Sequence, residues 1–298
     1  MKEKLEYTPF FGCMITTKYP QFEAAVRKTL PLIGVELTDL DGFSCCPDPI
    51  YFKAFDKEEW ITLAARNLCV AEEAGLDIVT CCSGCTATLN EANHLLHESD
   101  EILERVNKRL KKVGKEFKGK VKVRHIVTVL RDDVGYDRLA ESVVKPLEGL
   151  RVAIHYGCHL LKPSHIMQVD DPDRPTILED LMKQIGVEPV EHEEKILCCG
   201  KACMDEHIPL EMTRDVLKSI EDLKVDCMGL ICPTCFDEYD LGQLMLNRKF
   251  KTNFSLPVIY YFQLLGLAQG QDPKEMGFHR HKIKTKPVLE KLQLEKVP

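Results

Sequence analysis

The chain has 298 residues, of which 44% are apolar and 29% charged, and a formal net charge of −7; this is the make-up of a globular protein of about two domains and excludes disordered and fibrous classes. The negative charge argues against a general nucleic-acid binder, which needs a basic footprint. No apolar run approaches the roughly 18–20 residues of a membrane span, and the opening MKEKLEYTPFFGC holds no secretory stretch, so a cytoplasmic protein without a membrane span is expected.

Residues 7–12 read as a short buried strand ending at Cys13. Phe22, Val26, Leu30 and Ile33 recur at helical spacing over 19–33, with Gly34 as a stop. Residues 35–40 form a second strand, and Asp41-Gly42 opens the loop that carries Cys45-Cys46-Pro47. Asp56 with Glu59 makes a capping box for a helix running to Gly75. Residues 76–80 are an apolar strand that delivers the chain to Cys81-Cys82-Ser83-Gly84-Cys85. A helical stretch to about Lys112, broken near Ser99-Asp100, precedes a strong strand over 121–130 and a helix over 132–144.

Pro146 and Gly149 mark a seam, after which the pattern restarts. Residues 150–156 form a strand ending at Gly157-Cys158, and a helix to Ile185 follows the polar loop Asp170-Asp171-Pro172-Asp173. A short strand over 187–190 precedes Cys198-Cys199-Gly200. A helix over 209–223, a strand over 225–231 running into Cys232, a helix from Phe236, a strand over 257–261 and a short helix to Ala268 complete the half. Strands alternating with helices imply parallel sheets wrapped by helices. The expected architecture is two similar α/β, Rossmann-like domains related by a pseudo-twofold, over 1–148 and 149–270. A polar, basic tail over 271–298 is expected to lie over the surface or a partner.

The cysteines carry the chemistry. Ten of the fourteen fall into one constellation that occurs twice, C-x31-CC-x35-C-x2-C and C-x39-CC-x32-C-x2-C. The first copy is Cys13, Cys45, Cys46, Cys82 and Cys85; the second is Cys158, Cys198, Cys199, Cys232 and Cys235, with Gly12 and Gly157 before the leading cysteines. Self-similarity of this kind signals a duplicated structural unit. In a reducing compartment such density points to metal or redox chemistry, not to disulfides. Cys13, Cys82, Cys158 and Cys232 each stand where a predicted strand ends, the edge at which sites form in parallel sheets. A structural zinc and an ordinary iron–sulfur cluster each take four ligands, whereas each half offers five thiolates. Adjacent cysteines such as Cys45-Cys46 reach different irons of one cluster more easily than one metal ion, which favours a multi-iron centre over zinc.

The doubled pattern resembles that of the cysteine-rich CCG family. Within it, the run from His155 to Ser164 (HYGCHLLKPS) and Asp170-Asp171-Pro172 are similar to the B subunits of heterodisulfide reductase from methanogenic archaea. The resemblance extends from Phe10 to about Gly277. It implies two noncubane [4Fe–4S] clusters, the first on Cys13, Cys45, Cys46, Cys82 and Cys85, the second on Cys158, Cys198, Cys199, Cys232 and Cys235. It implies reduction of the coenzyme M–coenzyme B disulfide between them. It also implies two partners in a larger electron-transfer complex, the iron–sulfur C subunit and the flavin-containing A subunit of the reductase. These deliver electrons to a chain without a ferredoxin cysteine run. Two departures fall in the second copy: the x32 gap is short for the family, and Cys198-Cys199-Gly200 continues as Lys201-Ala202-Cys203.

His159, beside Cys158, is a candidate proton donor or hydrogen-bond donor to a cluster sulfur, and His155 stands on the other side of Gly157. Lys162 and Lys201 are candidates for attracting an anionic substrate, with solvated lysines as the plainer reading. Cys69, Cys81 and Cys227 read as core; Cys203 is the leftover nearest a ligand set. Two alternatives stand beside disulfide reduction: an iron–sulfur subunit of another dehydrogenase or quinone reductase complex, and a non-catalytic, metal-stabilised electron carrier.

Overall fold

The computed structural model describes residues 5–203, 205 and 207–294. The first half runs β1 (Leu5–Phe10), α1 (Gly12–Thr17), α2 (Pro20–Thr29), β2 (Val35–Leu37), α3 (Tyr51–Phe55), α4 (Lys57–Ala74), β3 (Ile78–Thr80), α5 (Ser83–Glu98), α6 (Asp100–Leu110), β4 (Val123–His125), α7 (Ile126–Val129) and α8 (Tyr136–Glu141). The second runs β5 (Arg151–His155), α9 (Cys158–Leu161), α10 (Ser164–Met167), α11 (Ile177–Gln184), β6 (Glu188–Val190), α12 (Ile208–Glu221), β7 (Cys227–Leu230), α13 (Pro233–Phe250), β8 (Val258–Tyr260), α14 (Tyr261–Ala268) and α15 (Lys286–Lys291). Each half builds a four-stranded parallel sheet, in the order β2-β1-β3-β4 and β6-β5-β7-β8. The chain is therefore α/β, with the same topology used twice. Among the described residues no helix is long and apolar enough to cross a membrane.

Local chemistry accounts for most boundaries. Asp56 caps α4 by accepting the Glu59 N–H at 2.9 Å, and Gly75 ends that helix at φ 71°. The break at Ser99 is a second cap, its hydroxyl accepting the Ile102 N–H at 3.3 Å.

The expected strand over 121–130 is shorter: only Val123–His125 pair with β3. At Ile126 the backbone turns helical because His125 Nδ1 accepts the Val127 N–H at 3.3 Å, and its carbonyl accepts the Thr128 hydroxyl at 2.8 Å. Ile126, Val127, Val129 and Leu130 then bury in the core, so tertiary packing overrides the β preference of this branched run. The helix expected over 132–144 is divided into a π turn over Leu130–Val134 and α8, with Gly135 at φ 79° between them. β8 passes into α14 in the same way, so a helical turn directly after the fourth strand is common to both halves.

One apolar core runs through both halves, from Val26 and Ile33 to Leu230 and Leu264. Its centre is aromatic: Phe22 stacks on Tyr260 at 4.3 Å and meets Phe236 edge-on at 4.7 Å. A second, smaller cluster around Trp60 lies among α4, α5 and α6. The tail is less superficial than its polar composition implies. Met276, Phe278, Ile283, Val288, Leu289 and Leu292 are buried, and the Asp240 carboxylate fixes the segment by accepting the N–H groups of Lys282 and Ile283 at 2.8 and 2.9 Å.

Candidate functional site

Every cysteine of the doubled constellation lies beyond the carboxyl end of a strand. Cys13 follows β1 in α1, Cys45 and Cys46 lie in the loop after β2, Cys82 is the N-cap of α5, and Cys85 stands in its first turn. Cys158 follows β5 in α9, Cys198 and Cys199 follow β6, Cys232 caps α13, and Cys235 is in its first turn. The two x2 pairs thus occupy helix N-termini, where free N–H groups and the helix dipole favour thiolates.

The leading glycines are required by space and backbone. Gly12 and Gly157 sit at φ 67° and 73°, and a Cβ there would lie 2.5 Å from Cys85 Sγ and 2.9 Å from Cys235 Sγ. The halves are also joined crosswise at the site. α1, which carries Cys13, packs on α13, and α9, which carries Cys158, packs on α5.

Within each half the five thiols form a chain of interacting neighbours. The order is Cys13–Cys45–Cys46–Cys85–Cys82 in the first. In the second it is Cys158–Cys198–Cys199–Cys235–Cys232, with 3.7 Å between the first two sulfurs. The two strings meet: the Cys82 and Cys232 thiols interact with each other across the halves. No three His, Cys, Asp or Glu side chains among the described residues converge on a single-ion site. Strings of five sulfurs suit a multinuclear centre better than one tetrahedral ion.

Protons are shared unevenly along these strings. Hydrogen bonds from Cys45 and Cys85 hold Cys46 well below the usual thiol range. Cys232 is lowered by Cys235 and Cys82, and Cys198 falls to about 2 through Cys158, Cys199 and the Gly200 N–H at 3.3 Å. The other seven thiols of the two strings are pushed up by their neighbours and by burial, so most of the sulfurs keep their protons until a metal displaces them.

A cavity of about 80 Å³ opens between the halves, walled by Pro49, Ile50 and Ser83 from one and by Cys158, Cys198 and Cys232 from the other. His159 lines it, half-buried. Lys201 also reaches the wall, but its ammonium is bound to Asp237 at 3.0 Å and Glu238 at 3.1 Å. Lys162 is exposed and outside the lining. Asp237, buried in α13, further accepts hydrogen bonds from Lys18 and Tyr19, just beyond α1. One carboxylate therefore ties together segments that carry Cys13, Cys199 and Cys235. Sequence reasoning missed this hub, and the only available signal was its position two residues after Cys235.

The remaining four cysteines lie in the core or in the turn after Gly200. Cys69 and Cys227 are fully buried in the core, and burial pushes the Cys69 thiol up to about 12. Cys81 packs into the apolar core, its carbonyl accepting the Tyr260 hydroxyl at 2.6 Å. Cys203 is half-buried in the turn after Gly200, donating its N–H to the Gly200 carbonyl at 2.8 Å.

Comparison with known proteins follows the same division. The CCG cysteine-rich domain matches twice, over residues 7–90 and 152–238. The B subunit of the ferredoxin/F(420)H(2)-dependent CoB-CoM heterodisulfide reductase of Methanosarcina acetivorans is 39% identical over 287 residues, 95% of each chain. The 8-methylmenaquinol:fumarate reductase membrane anchor subunit of Wolinella succinogenes is 29% identical over 280 residues, covering 93% of this chain and 97% of its own. Among solved structures, a hypothetical protein from Helicobacter pylori shares the fold with a TM-score of 0.75 at 16% identity, over 95% of this chain and 53% of that one.

Proposed function

We propose that this chain, which belongs to the CCG cysteine-rich domain family, is the iron–sulfur subunit of a reductase that splits the coenzyme M–coenzyme B disulfide in the cavity between its halves. The observation that carries the proposal is the meeting of two five-thiol strings at Cys82 and Cys232, beside a cavity with walls from both halves. The 39% identity to a heterodisulfide reductase B subunit over 95% of the chain supports the substrate class.

Cys13, Cys45, Cys46, Cys82 and Cys85 would hold one noncubane [4Fe–4S] cluster, and Cys158, Cys198, Cys199, Cys232 and Cys235 the other. The donor set fits: five thiols per centre, adjacent pairs in each string, and glycines where a Cβ would crowd the sulfurs. When bound, the clusters supply one electron and one Lewis-acidic iron to each sulfur of the substrate. The protein's own part is positioning, because a disulfide held across the cavity has one sulfur on each side. Cleavage to two thiols consumes two electrons and two protons, and His159 in the cavity wall holds one of those protons. Electrons come from two partner chains, one carrying iron–sulfur clusters (the C subunit) and one carrying flavin (the A subunit).

A second reading has one observation in its favour, the 29% identity to a subunit of a menaquinol:fumarate reductase. It makes this chain an iron–sulfur subunit serving a different acceptor. Anaerobic purification with its partners, iron and sulfide analysis, and assay on coenzyme M–coenzyme B disulfide separate the two. About eight irons per chain with turnover of the disulfide is the expected result. Full iron without disulfide turnover would favour the second reading, and stoichiometric zinc with negligible iron would end both.

A further inference from the structure

Buried polar hydrogens in proteins are nearly always paired. Beneath the second cysteine set two groups break that rule, and a third does so at the end of β4 in the first half. His155, the last residue of β5, is fully buried, and neither ring nitrogen has a partner among the described residues. The hydroxyl of Tyr239, one helical turn beyond Cys235, is likewise buried and unpaired. His125 accepts the Val127 N–H on Nδ1, which leaves its own proton on Nε2, and that atom has no partner either.

All three groups feel the thiols of the second set. His155 interacts electrostatically with Cys232 and Cys198, Tyr239 with Cys199, Cys235 and Cys198, and His125 with Cys232. The His155 and Tyr239 rings also meet edge to face at 4.7 Å. The acceptor chemistry absent from their surroundings is what a cysteine-bound cluster brings, namely thiolate and sulfide sulfur.

The first set is built differently at the same positions. Phe10 precedes Gly12 by two residues as His155 precedes Gly157, and Leu89 follows Cys85 by four as Tyr239 follows Cys235. Phe10 and Leu89 are buried and have no polar hydrogen to give; the unpaired buried donors on that side stand elsewhere, the Ser83 hydroxyl between Cys82 and Cys85 and the Trp60 N–H in the core cluster of Cys46, Cys82 and Cys85. Hydrogen bonds to cluster sulfurs stabilise the more negative, reduced state and help to set the potential.

We propose that His155 and Tyr239 donate hydrogen bonds to sulfurs of the second centre and raise its reduction potential, a role that Phe10 and Leu89 cannot play at the matching positions of the first. The proposal rests on the cluster reading given above. Its consequence is that the potentials of the two centres are set by different residues despite the repeated fold.

The test is a potentiometric titration of the anaerobically purified complex, followed by electron paramagnetic resonance. The second centre is identified as the signal that Cys199→Ala removes. His155→Phe and Tyr239→Phe are each expected to disfavour its reduction about tenfold, a downward shift of about 59 mV for one electron, with the first centre unmoved. Tyr239→Phe removes one hydroxyl from a packed ring and decides the matter if His155→Phe loses iron. An unmoved midpoint in an iron-replete Tyr239→Phe protein overturns the proposal and leaves the cluster reading standing. A wild-type protein without iron overturns both.

Discussion

The two cysteine sets share one fold and one order of thiols, yet they stand in different surroundings. In the first set Cys13 and Cys45 are exposed, and they border a surface depression of about 430 Å³ with Thr16, Arg27 and Asp39. In the second, Cys158 and Cys198 are half-buried and face the cavity between the halves, beside His159. Phe10 and Leu89 underlie one set, and His155 and Tyr239 the other. The repeated topology positions the sulfurs, whereas the residues around them make each half chemically distinct.

Removing one proposed ligand from either side is the largest perturbation. Cys46→Ala or Cys199→Ala should lower iron from about eight to about four atoms per chain and cut reductase turnover about 10²-fold or more, because both sulfurs of the substrate must be held. Retention of half the activity would mean that the sets act independently. The next effect is confined to the second side. His159→Ala, with both clusters kept, should slow turnover about 10²-fold, as loss of a general acid does, with a smaller change in KM. Near-normal kcat removes His159 from the mechanism.

Substituting the leading glycines grades the two sets against each other. Gly12→Ala and Gly157→Ala should each cost about 1–3 kcal/mol for the left-handed backbone. Gly12→Ala should lose more iron, since its Cβ would meet sulfur at 2.5 Å instead of 2.9 Å. Equal iron loss, measured by metal analysis, would remove the steric part of the argument. The smallest effect belongs to the bystanders, one in each half. Cys69→Ala and Cys227→Ala should leave iron unchanged and cost about 1 kcal/mol of packing, seen as a small drop in the denaturation midpoint. Iron loss in either would mean that the ligand set has been misassigned.

The cysteine order, the α4 caps at Asp56 and Gly75 and the restart after Gly149 are legible in the sequence because each depends on neighbours in the chain. The turn to helix at Ile126 is not, since its residues favour strand and it takes the His125 cap and burial in the core to make them helical. The approach of Cys82 to Cys232 and the Asp237 hub are equally invisible, because they arise where α1 packs on α13 and α9 on α5. The tail misleads for another reason: its six buried apolar residues are spaced among lysines and histidines, so average polarity conceals them.

The aromatic centre formed by Phe22, Phe236 and Tyr260 has a consequence for how the protein unfolds. Separating the halves would expose Phe22 from one side and Tyr260 from the other, each worth about 1.5–3 kcal/mol of burial. A chain cut at the seam would therefore leave two fragments with sticky faces. The intact protein should melt in a single cooperative transition despite its duplicated architecture.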